Sequence, residues 1–257
     1  MSKILYINPI GVPAFDAVFQ EYLDREKDPQ TNLQVVSLPR GPHHLEYHYY
    51  EALVLMDTLH LIRQAENDGV DAAVIGCFYD PDLREAREIT ERMVVTAPAE
   101  ASMHIASTLG HTFSIIVGRN KWIPQMHENV VKYGFRDRLA SFKSVDLGVY
   151  DFMKDVNETN RRLTAAAREA VEQDRAEVVI LGCTAQLGFF RELQELLGVP
   201  VIDVAVASLK YAEFLADLQK RLHWGHSKKY GYESPPIAEI ESWKLAEQYQ
   251  LGDLWKR

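Results

Sequence analysis

The feature that most constrains the fold of this 257-residue chain is an internal repeat. When the sequence is shifted by 106 residues, from position 77 to position 183, Gly76-Cys77 aligns with Gly182-Cys183. Further identities keep this register without a gap: Val95 with Val201, Ala101-Ser102 with Ala207-Ser208, Ala106 with Ala212, and Leu109 with Leu215. Both copies show the same predicted order, which is helix, apolar strand, Gly-Cys, helix, short apolar strand and helix. The repeat therefore predicts two similar halves.

Short apolar runs alternate with longer amphipathic stretches within each half. Ala72–Ile75, Phe113–Val117 and Val178–Leu181 are apolar at both odd and even positions, as in parallel strands that helices cover on both faces. Two further strands are predicted at Lys3–Ile7 and Leu33–Leu38. The predicted helices are Phe15–Arg25, roughly Tyr49–Asp68, Pro81–Met93, Glu100–Leu109, Asn157–Gln173, Gln186–Leu197 and Ala205–Leu222. This alternation predicts an α/β fold of two pseudo-symmetric, three-layer halves with parallel sheets and a cleft between them.

The order of elements also predicts where the halves begin and end. Residues 1–97 with 206–223 would form the first half, 98–205 the second half, and 224–257 a C-terminal extension. The extension opens with a segment rich in Gly, Lys, Tyr, Ser and Pro and is predicted to end in a helix over Ile237–Leu254. We expect this helix to pack against the body or a neighbouring subunit of a homo-oligomer.

The composition limits the partners of the chain. A formal net charge of −9, without a block of Lys or Arg, argues against nucleic acid and against anionic membrane surfaces. No stretch is long and apolar enough for a membrane span, and the N-terminus lacks the features of a secretory signal, so a cytoplasmic location is expected. An anionic small molecule stays possible, because the local field of a pocket can oppose the net charge.

The two cysteines of the chain, Cys77 and Cys183, are too few for a disulfide framework or a thiolate metal cluster. Each follows an apolar strand and precedes a predicted helix, at the sheet edge where α/β proteins bind ligands. A helix start stabilises a thiolate and would lower the pKa of each thiol. Asp80 before Pro81 is the predicted N-cap of the first of these helices, and Thr184 would cap the second or bond a ligand.

The paired position of the cysteines favours chemistry over simple packing. A single cysteine at the end of a buried strand is usually an inert, small apolar side chain. Here both occupy the same place in related halves, which would put the two sulfurs on opposite walls of one cleft. Stereoinversion needs this arrangement, because one base removes a proton from one face of a carbon while an acid delivers another to the opposite face. The pair therefore predicts acid–base catalysis with no metal and no cofactor.

Through these residues the chain resembles the aspartate/glutamate/hydantoin racemase superfamily, and within it the hydantoin and allantoin racemases. The resemblance covers roughly residues 3–222. It rests on Asn8-Pro9, Gly41-Pro42, Gly76-Cys77-Phe78 with Asp80-Pro81 and Leu83, Glu100-Ala101, Gly182-Cys183, and Val199-Pro200-Val201-Ile202-Asp203.

The resemblance implies an active site in the cleft between the halves, with Cys77 and Cys183 as the acid–base pair. It further implies that Asn8-Pro9 shape the pocket. Backbone amides after each cysteine would hold the substrate's oxygens, where negative charge develops during proton removal. These amides belong to Phe78, Tyr79, Thr184 and Ala185.

Two departures from the family pattern bear on the substrate. Tyr79 stands where hydantoin racemases usually have a small residue, and Arg119 lies in a segment where a threonine pair is frequent. Arg119 could pair with a substrate carboxylate, or it could equally be a solvated loop residue. His43, His44 and His48 are expected in a pocket wall or an oligomer contact rather than a metal site, because no partner is spaced for coordination.

The leading hypothesis is racemisation or epimerisation at a carbon next to a carbonyl, in a hydantoin-like ureide or an amino-acid derivative. One alternative is a cis–trans isomerase of the maleate isomerase type, in which one cysteine attacks an alkene as a nucleophile. A second alternative is a non-catalytic protein that binds a small acid.

Overall fold

The computed structural model describes residues 1–255 and contains two four-stranded parallel sheets. Their strand orders, β2-β1-β3-β4 and β6-β5-β7-β8, are identical after renumbering. The strands are β1 (Ser2–Asn8), β2 (Thr31–Ser37), β3 (Ala72–Ile75), β4 (Val94–Thr96), β5 (Phe113–Val117), β6 (Leu139–Ser144), β7 (Val178–Leu181) and β8 (Val201–Asp203). The predicted α/β fold with two parallel sheets is therefore confirmed.

Helices lie on both faces of these sheets. They are α1 (Asp16–Asp24), α2 (His48–Ala52), α3 (Leu55–Asn67), α4 (Leu83–Ile89), α5 (Pro98–Leu109), α6 (Ile123–Lys132), α7 (Val156–Glu172), α8 (Phe190–Leu197), α9 (Val204–Leu222), α10 (Ile237–Ser242) and α11 (Leu245–Gln248). Within residues 1–255, no helix combines the length and apolar character that crossing a bilayer requires.

Successive residues of a strand point to opposite faces of the sheet. They are apolar on both faces because helices cover both faces. On β1, Ile4 and Tyr6 pack with α1 and α9, whereas Leu5 and Ile7 belong to the core that continues into the second sheet. All four side chains are almost fully buried. A two-sided burial of this kind explains the continuous apolar runs in the sequence.

Two helices each leave one sheet and cover the other. Helix α5 follows β4 of the first sheet but contacts β7 and β8 of the second. Helix α9 follows β8 of the second sheet but contacts β1, β3 and β4 of the first, and the two helices pack against each other. We propose on this basis that residues 1–97 with 206–223 form one half, called the first half below, and that 98–205 form the second half.

Several predicted helix boundaries were wrong, and the backbone explains why. The predicted helix Pro81–Met93 begins only at Leu83, because Asp80 and Asp82 adopt left-handed conformations, so Asp80 is not its N-cap. The predicted helix Gln186–Leu197 begins only at Phe190, after Gly188, which also has a positive φ. Each cysteine is thus followed by an irregular loop rather than directly by a helix.

Other differences concern elements that the sequence signals weakly. The predicted helix Tyr49–Asp68 is divided into α2 and α3, and the predicted terminal helix Ile237–Leu254 into α10 and α11. Strand β6 was not predicted, since this edge strand is only half-buried along its length and lacks an apolar run. Helix α6 was also missed. The last two residues of the predicted extension 224–257 lie outside the described residues.

Gly76→Ala should destabilise the fold, because a Cβ at this position would overlap the ring of Tyr6 and lie 2.9 Å from the Ile7 carbonyl oxygen. Tyr6 is completely buried and has no room to move, so we expect a loss of about 1–3 kcal/mol of unfolding free energy. Gly231→Ala is the matched control, since nothing lies within 4 Å of its Cβ position. Urea unfolding of both variants tests this; equal stabilities would contradict it.

Candidate active site

The two cysteines occupy equivalent turns at the carboxyl ends of β3 and β7. In both halves the N–H of the preceding glycine, Gly76 or Gly182, donates to a carbonyl of the neighbouring strand at 2.8 Å. The N–H of Cys77 and that of Cys183 each donate to the carbonyl two residues earlier, again at 2.8 Å. The 106-residue repeat is therefore a repeat of backbone geometry as well as of sequence.

Both cysteines line the same cleft, which has a volume of about 270 Å³. Each thiol is partly buried. The lining is mostly apolar, and it comes from loops that follow strands of both sheets and from helices α1 and α6. The lining residues are Asn8, Pro9, Ile10, Phe15, Val18, Phe19, His43, His44, Leu45, Glu46, Gly76, Cys77, Phe78, Tyr79, Trp122, Met126, Val149, Tyr150, Met153, Gly182, Cys183, Thr184, Ala185 and Leu187.

The structure brings together all of the predicted site residues except one. The residues that line the cleft as expected are Asn8, Pro9, Cys77, Phe78, Tyr79, Cys183, Thr184 and Ala185. Arg119 is not among the lining residues, and its guanidinium donates at 2.8 Å to the Glu46 carboxylate. The position of Arg119 at a strand end did not indicate this partner, because the Glu46 carboxylate reaches Arg119 only in the tertiary structure.

Glu46 is a lining residue that the sequence did not single out. It is buried, and besides Arg119 it accepts a hydrogen bond from the Val149 N–H at 2.9 Å. It thereby fastens the loop after β2 to the second half along one side of the cleft. The sequence signal was weak, since Glu46 is one acidic residue within an aromatic and His-rich stretch.

The histidine-rich stretch forms part of the wall. His43 and His44 line the cleft, whereas His48 does not. His43 Nδ1 lies 3.0 Å from the hydroxyl of Tyr150, and the His44 ring packs edge-on against the same tyrosine. Within residues 1–255, no three His, Cys, Asp or Glu side chains are placed to hold one metal ion.

The two cysteine loops touch each other across the cleft. The Thr184 hydroxyl, next to Cys183, donates at 3.3 Å to the carbonyl of Gly76, next to Cys77. Asn129 of α6 donates at 2.7 Å to the carbonyl of Tyr79 and so holds the first loop from the second half. These contacts put the two Gly-Cys turns beside one another.

Burial controls the protonation of both thiols. It raises the pKa of Cys77 well above its ordinary value, and it raises the pKa of Cys183 to about 12. The backbone N–H groups of Tyr79 and Ala185 oppose these shifts as hydrogen-bond donors to the sulfurs. The predicted lowering of the thiol pKa by a following helix is wrong here, because neither helix starts next to its cysteine.

Each cysteine turn leaves one backbone donor without an acceptor within residues 1–255. The N–H groups of Cys77 and Asp80 are used within the first turn, and Phe78 N–H finds no acceptor within residues 1–255. The second turn repeats this pattern, because the N–H of Thr184 likewise has no acceptor within residues 1–255. An N–H group without a protein acceptor is available to a ligand oxygen, and donors of this kind stabilise a developing oxyanion.

The charge of the cleft is unusual for a site that binds an acid. Glu46 is the carboxylate among the lining residues, and no Lys or Arg is found in that set. A ligand carboxylate would lose its hydration without gaining a cationic partner, which is costly.

Comparison with known proteins gives a consistent set of relatives. Residues 4–212 match the family profile described as Asp/Glu/Hydantoin racemase. The hydantoin racemase of Paenarthrobacter aurescens is 36% identical over 234 residues, which are 91% of this chain and 97% of that protein. The hydantoin racemase of Pseudomonas sp. (strain NS671) is 33% identical over 240 residues, or 93% and 96%. The structure of allantoin racemase from Klebsiella pneumoniae has a TM-score of 0.85 at 28% identity, covering 92% of this chain and 94% of that one.

A small bifunctional thiol reagent, dibromobimane, should bridge Cys77 and Cys183 within one chain, because both thiols line the same small cleft. The expected product is one intramolecular cross-link, which peptide mass spectrometry detects as a linked pair of peptides. Cys77→Ser and Cys183→Ser should each give only single attachment. Two separate labels on the unmodified chain, with no bridge at equimolar reagent, would contradict the facing arrangement.

Proposed function

The chain belongs to the Asp/Glu/hydantoin racemase family and is an isomerase of the racemase type, and from this premise we propose that Cys77 and Cys183 are its acid–base pair. The observation that carries the proposal is that two equivalent Gly-Cys turns, one from each sheet, line a single cleft. A substrate carbon between them would present one face to each sulfur.

The proposed reaction moves one proton off the carbon and another onto it. A thiolate on one wall removes the proton next to the carbonyl, and the resulting negative charge spreads onto the carbonyl oxygen. The thiol on the opposite wall then delivers its proton to the other face, which inverts the centre. After inversion the first cysteine is a thiol and the second a thiolate, which is the state that acts on the other enantiomer. Loss of a proton to water from the first sulfur and gain of one by the second restore the starting state.

The amides after each cysteine would stabilise the intermediate. In the proposal, the N–H groups of Phe78 and Thr184, one in each turn, bind the ring oxygens, while those of Tyr79 and Ala185 donate to the sulfurs. Donors that are already oriented lose little energy to reorganisation as charge develops, and they act strongly in an apolar, water-poor cleft.

The raised thiol pKa values determine which form of the enzyme is active. In the ligand-free protein at neutral pH both groups are mainly thiols, so the active form is the small fraction that carries one thiolate. A negative charge on Cys183 adds to the effects that raise the pKa of Cys77, which disfavours two thiolates at once. One thiolate and one thiol is also the combination that inversion requires.

We propose a neutral, cyclic ureide of the hydantoin type as the substrate. The names of the relatives indicate hydantoin or allantoin, and the cleft favours an uncharged ring because no Lys or Arg lines it. Side chains such as Phe15, Val18 and Met153 favour an apolar substituent over the polar ureido arm of allantoin. The same lack of cations argues against a dicarboxylate such as maleate, the substrate of the cis–trans alternative.

Cys77→Ser and Cys183→Ser should each lower kcat/KM for racemisation of a 5-substituted hydantoin by about 10²- to 10⁴-fold, because inversion needs both groups. In deuterium oxide, each single variant should still exchange the ring proton of one enantiomer without inverting it, and the two variants should favour opposite enantiomers. Proton NMR follows the exchange, and chiral chromatography follows the inversion.

The double variant Cys77→Ser/Cys183→Ser measures the uncatalysed exchange and serves as the control. Near-normal turnover by either single variant would exclude the two-thiol mechanism. A covalent adduct on one cysteine, with no exchange of substrate hydrogen, would instead support the nucleophilic isomerase.

5-Benzylhydantoin should be a better substrate than its ring-opened form, N-carbamoylphenylalanine, by about 100-fold or more in kcat/KM. The reason is that the open form brings a carboxylate into a cleft that no Lys or Arg lines. Allantoin should fall between them, since it is neutral but its polar arm meets an apolar wall. Polarimetry of the three substrates, under one set of conditions, checks the order; a preference for the ring-opened acid would refute the assignment.

A further inference from the structure

The loop after Cys77 holds an unusual backbone conformation. Asp80 and Asp82 have φ values of 49° and 55°, in the left-handed region that residues other than glycine rarely occupy. Such a conformation persists when the surroundings hold it in place. The contacts of the Asp80 side chain identify what holds it.

The Asp80 carboxylate is buried and fully used. It accepts hydrogen bonds from the N–H groups of Ala99 and Glu100, each at 2.8 Å, and from the hydroxyl of Tyr133 at 2.9 Å. The backbone N–H of Asp80 donates at 2.9 Å to the carbonyl of Cys77. One residue thus connects the Cys77 turn to the first turn of α5 and to the end of α6.

Those partners belong to the other side of the cleft. Helix α5 contacts β7 and β8, and β7 is the strand that leads into Cys183. Tyr133 follows α6, whose Asn129 holds the same loop through the Tyr79 carbonyl. Asp80 therefore fastens the loop of one cysteine to helix α5, which packs on the sheet that carries the other.

The second cysteine loop is fastened differently, because its Gly188 N–H donates at 3.3 Å to Asp203, the residue that precedes α9, and no residue of the loop itself caps the helix. Gln186 stands 106 residues after Asp80, and its N–H donates to the Cys183 carbonyl in the same way. Its side chain is also buried, but neither amide atom has a hydrogen-bond partner within residues 1–255. Helix α9 is capped instead by its own Asp203, which accepts from the N–H groups of Ala205 and Val206. Capping from the cysteine loop is thus a feature of the Cys77 side rather than a requirement of the repeated fold.

We propose that Asp80 is a positioning residue, which sets the place of Cys77 relative to Cys183 by anchoring the Cys77 loop to the first turn of α5. The inference rests on the proposed two-thiol reaction for its catalytic consequence. Two-sided proton transfer depends on the separation of the two sulfurs, so a loop that shifts by about 1 Å costs on the order of 100-fold in rate.

Asp80→Asn tests the anchor. Asparagine has the same shape but keeps only one acceptor oxygen, so its NH₂ group faces donors that the Asp80 carboxylate accepted from. Kcat should fall about 100-fold, while KM rises by a smaller factor of about three to ten, because the Phe78 amide moves with the loop but the Thr184 amide of the other turn stays in place. Tyr133→Phe removes one anchoring contact without altering charge and should lower kcat by a smaller factor, about fivefold. This second variant separates anchoring from the effect of the Asp80 charge on the Cys77 thiol.

Thiol reactivity provides a readout that does not depend on turnover. The iodoacetamide alkylation rate of each cysteine is measured by peptide mass spectrometry. Asp80→Asn and Tyr133→Phe should change the rate at Cys77 while that at Cys183 stays within about twofold. Asp203→Asn is the matched control, since it removes a buried helix-capping carboxylate from the other side and should leave the rate at Cys77 unchanged.

The outcomes distinguish the two proposals. If the unmodified chain does not racemise ureides but Asp80→Asn selectively alters Cys77, the proposed function fails and the anchor stands. If Asp80→Asn and Tyr133→Phe leave the rate at Cys77 unaltered, or change both cysteines alike with a lower melting temperature, Asp80 has only a general structural role and the inference is overturned.

Discussion

The arrangement of this molecule depends on two helices that cross between the sheets and on the carboxylates at their N-termini. Helix α5 leaves the first sheet to cover the second, and α9 does the reverse. Asp80 caps α5 and Asp203 caps α9, so the unpaired N–H groups of each first turn are satisfied by a buried carboxylate. Because each helix packs on the sheet it did not come from, neither sheet can shift without disturbing the other.

The walls of the cleft between the sheets are therefore held in place by contacts from both halves. Its two Gly-Cys turns are fixed by backbone hydrogen bonds of the same length, and Thr184 joins one turn to the other. Glu46 closes one side through Arg119 and the Val149 N–H. The ligand space is thus bounded by groups whose positions all depend on how the two halves are held together.

Burial has opposing effects on the chemistry of this cleft. It raises the pKa of both thiols and so reduces the thiolate fraction of the ligand-free protein. The same exclusion of water strengthens the backbone N–H groups as donors to a developing oxyanion, because electrostatic interactions are larger in an apolar medium. A cleft with few charged side chains suits the proposed reaction, in which negative charge exists only transiently on the substrate.

The parts of the molecule that were predictable are those that local pattern determines. The strand bounds Ala72–Ile75, Phe113–Val117 and Val178–Leu181 agree with the predictions, since burial on both faces leaves a continuous apolar run. The start of α4 was not predictable, because the Asp80 carboxylate caps α5 instead of its own helix. Edge strand β6 was missed because its half-buried residues carry no apolar pattern.

The sequence by itself determined the two-sheet α/β fold, the family and the repeated Gly-Cys turns, since each depends on residue type and spacing along the chain. The tertiary structure alone decided which polar side chains serve the cleft. Arg119 pairs with Glu46, and Asp80 reaches helix α5, because partners distant in sequence meet only when the halves pack. The protonation of the thiols was decided there too, since burial outweighs the local turn geometry.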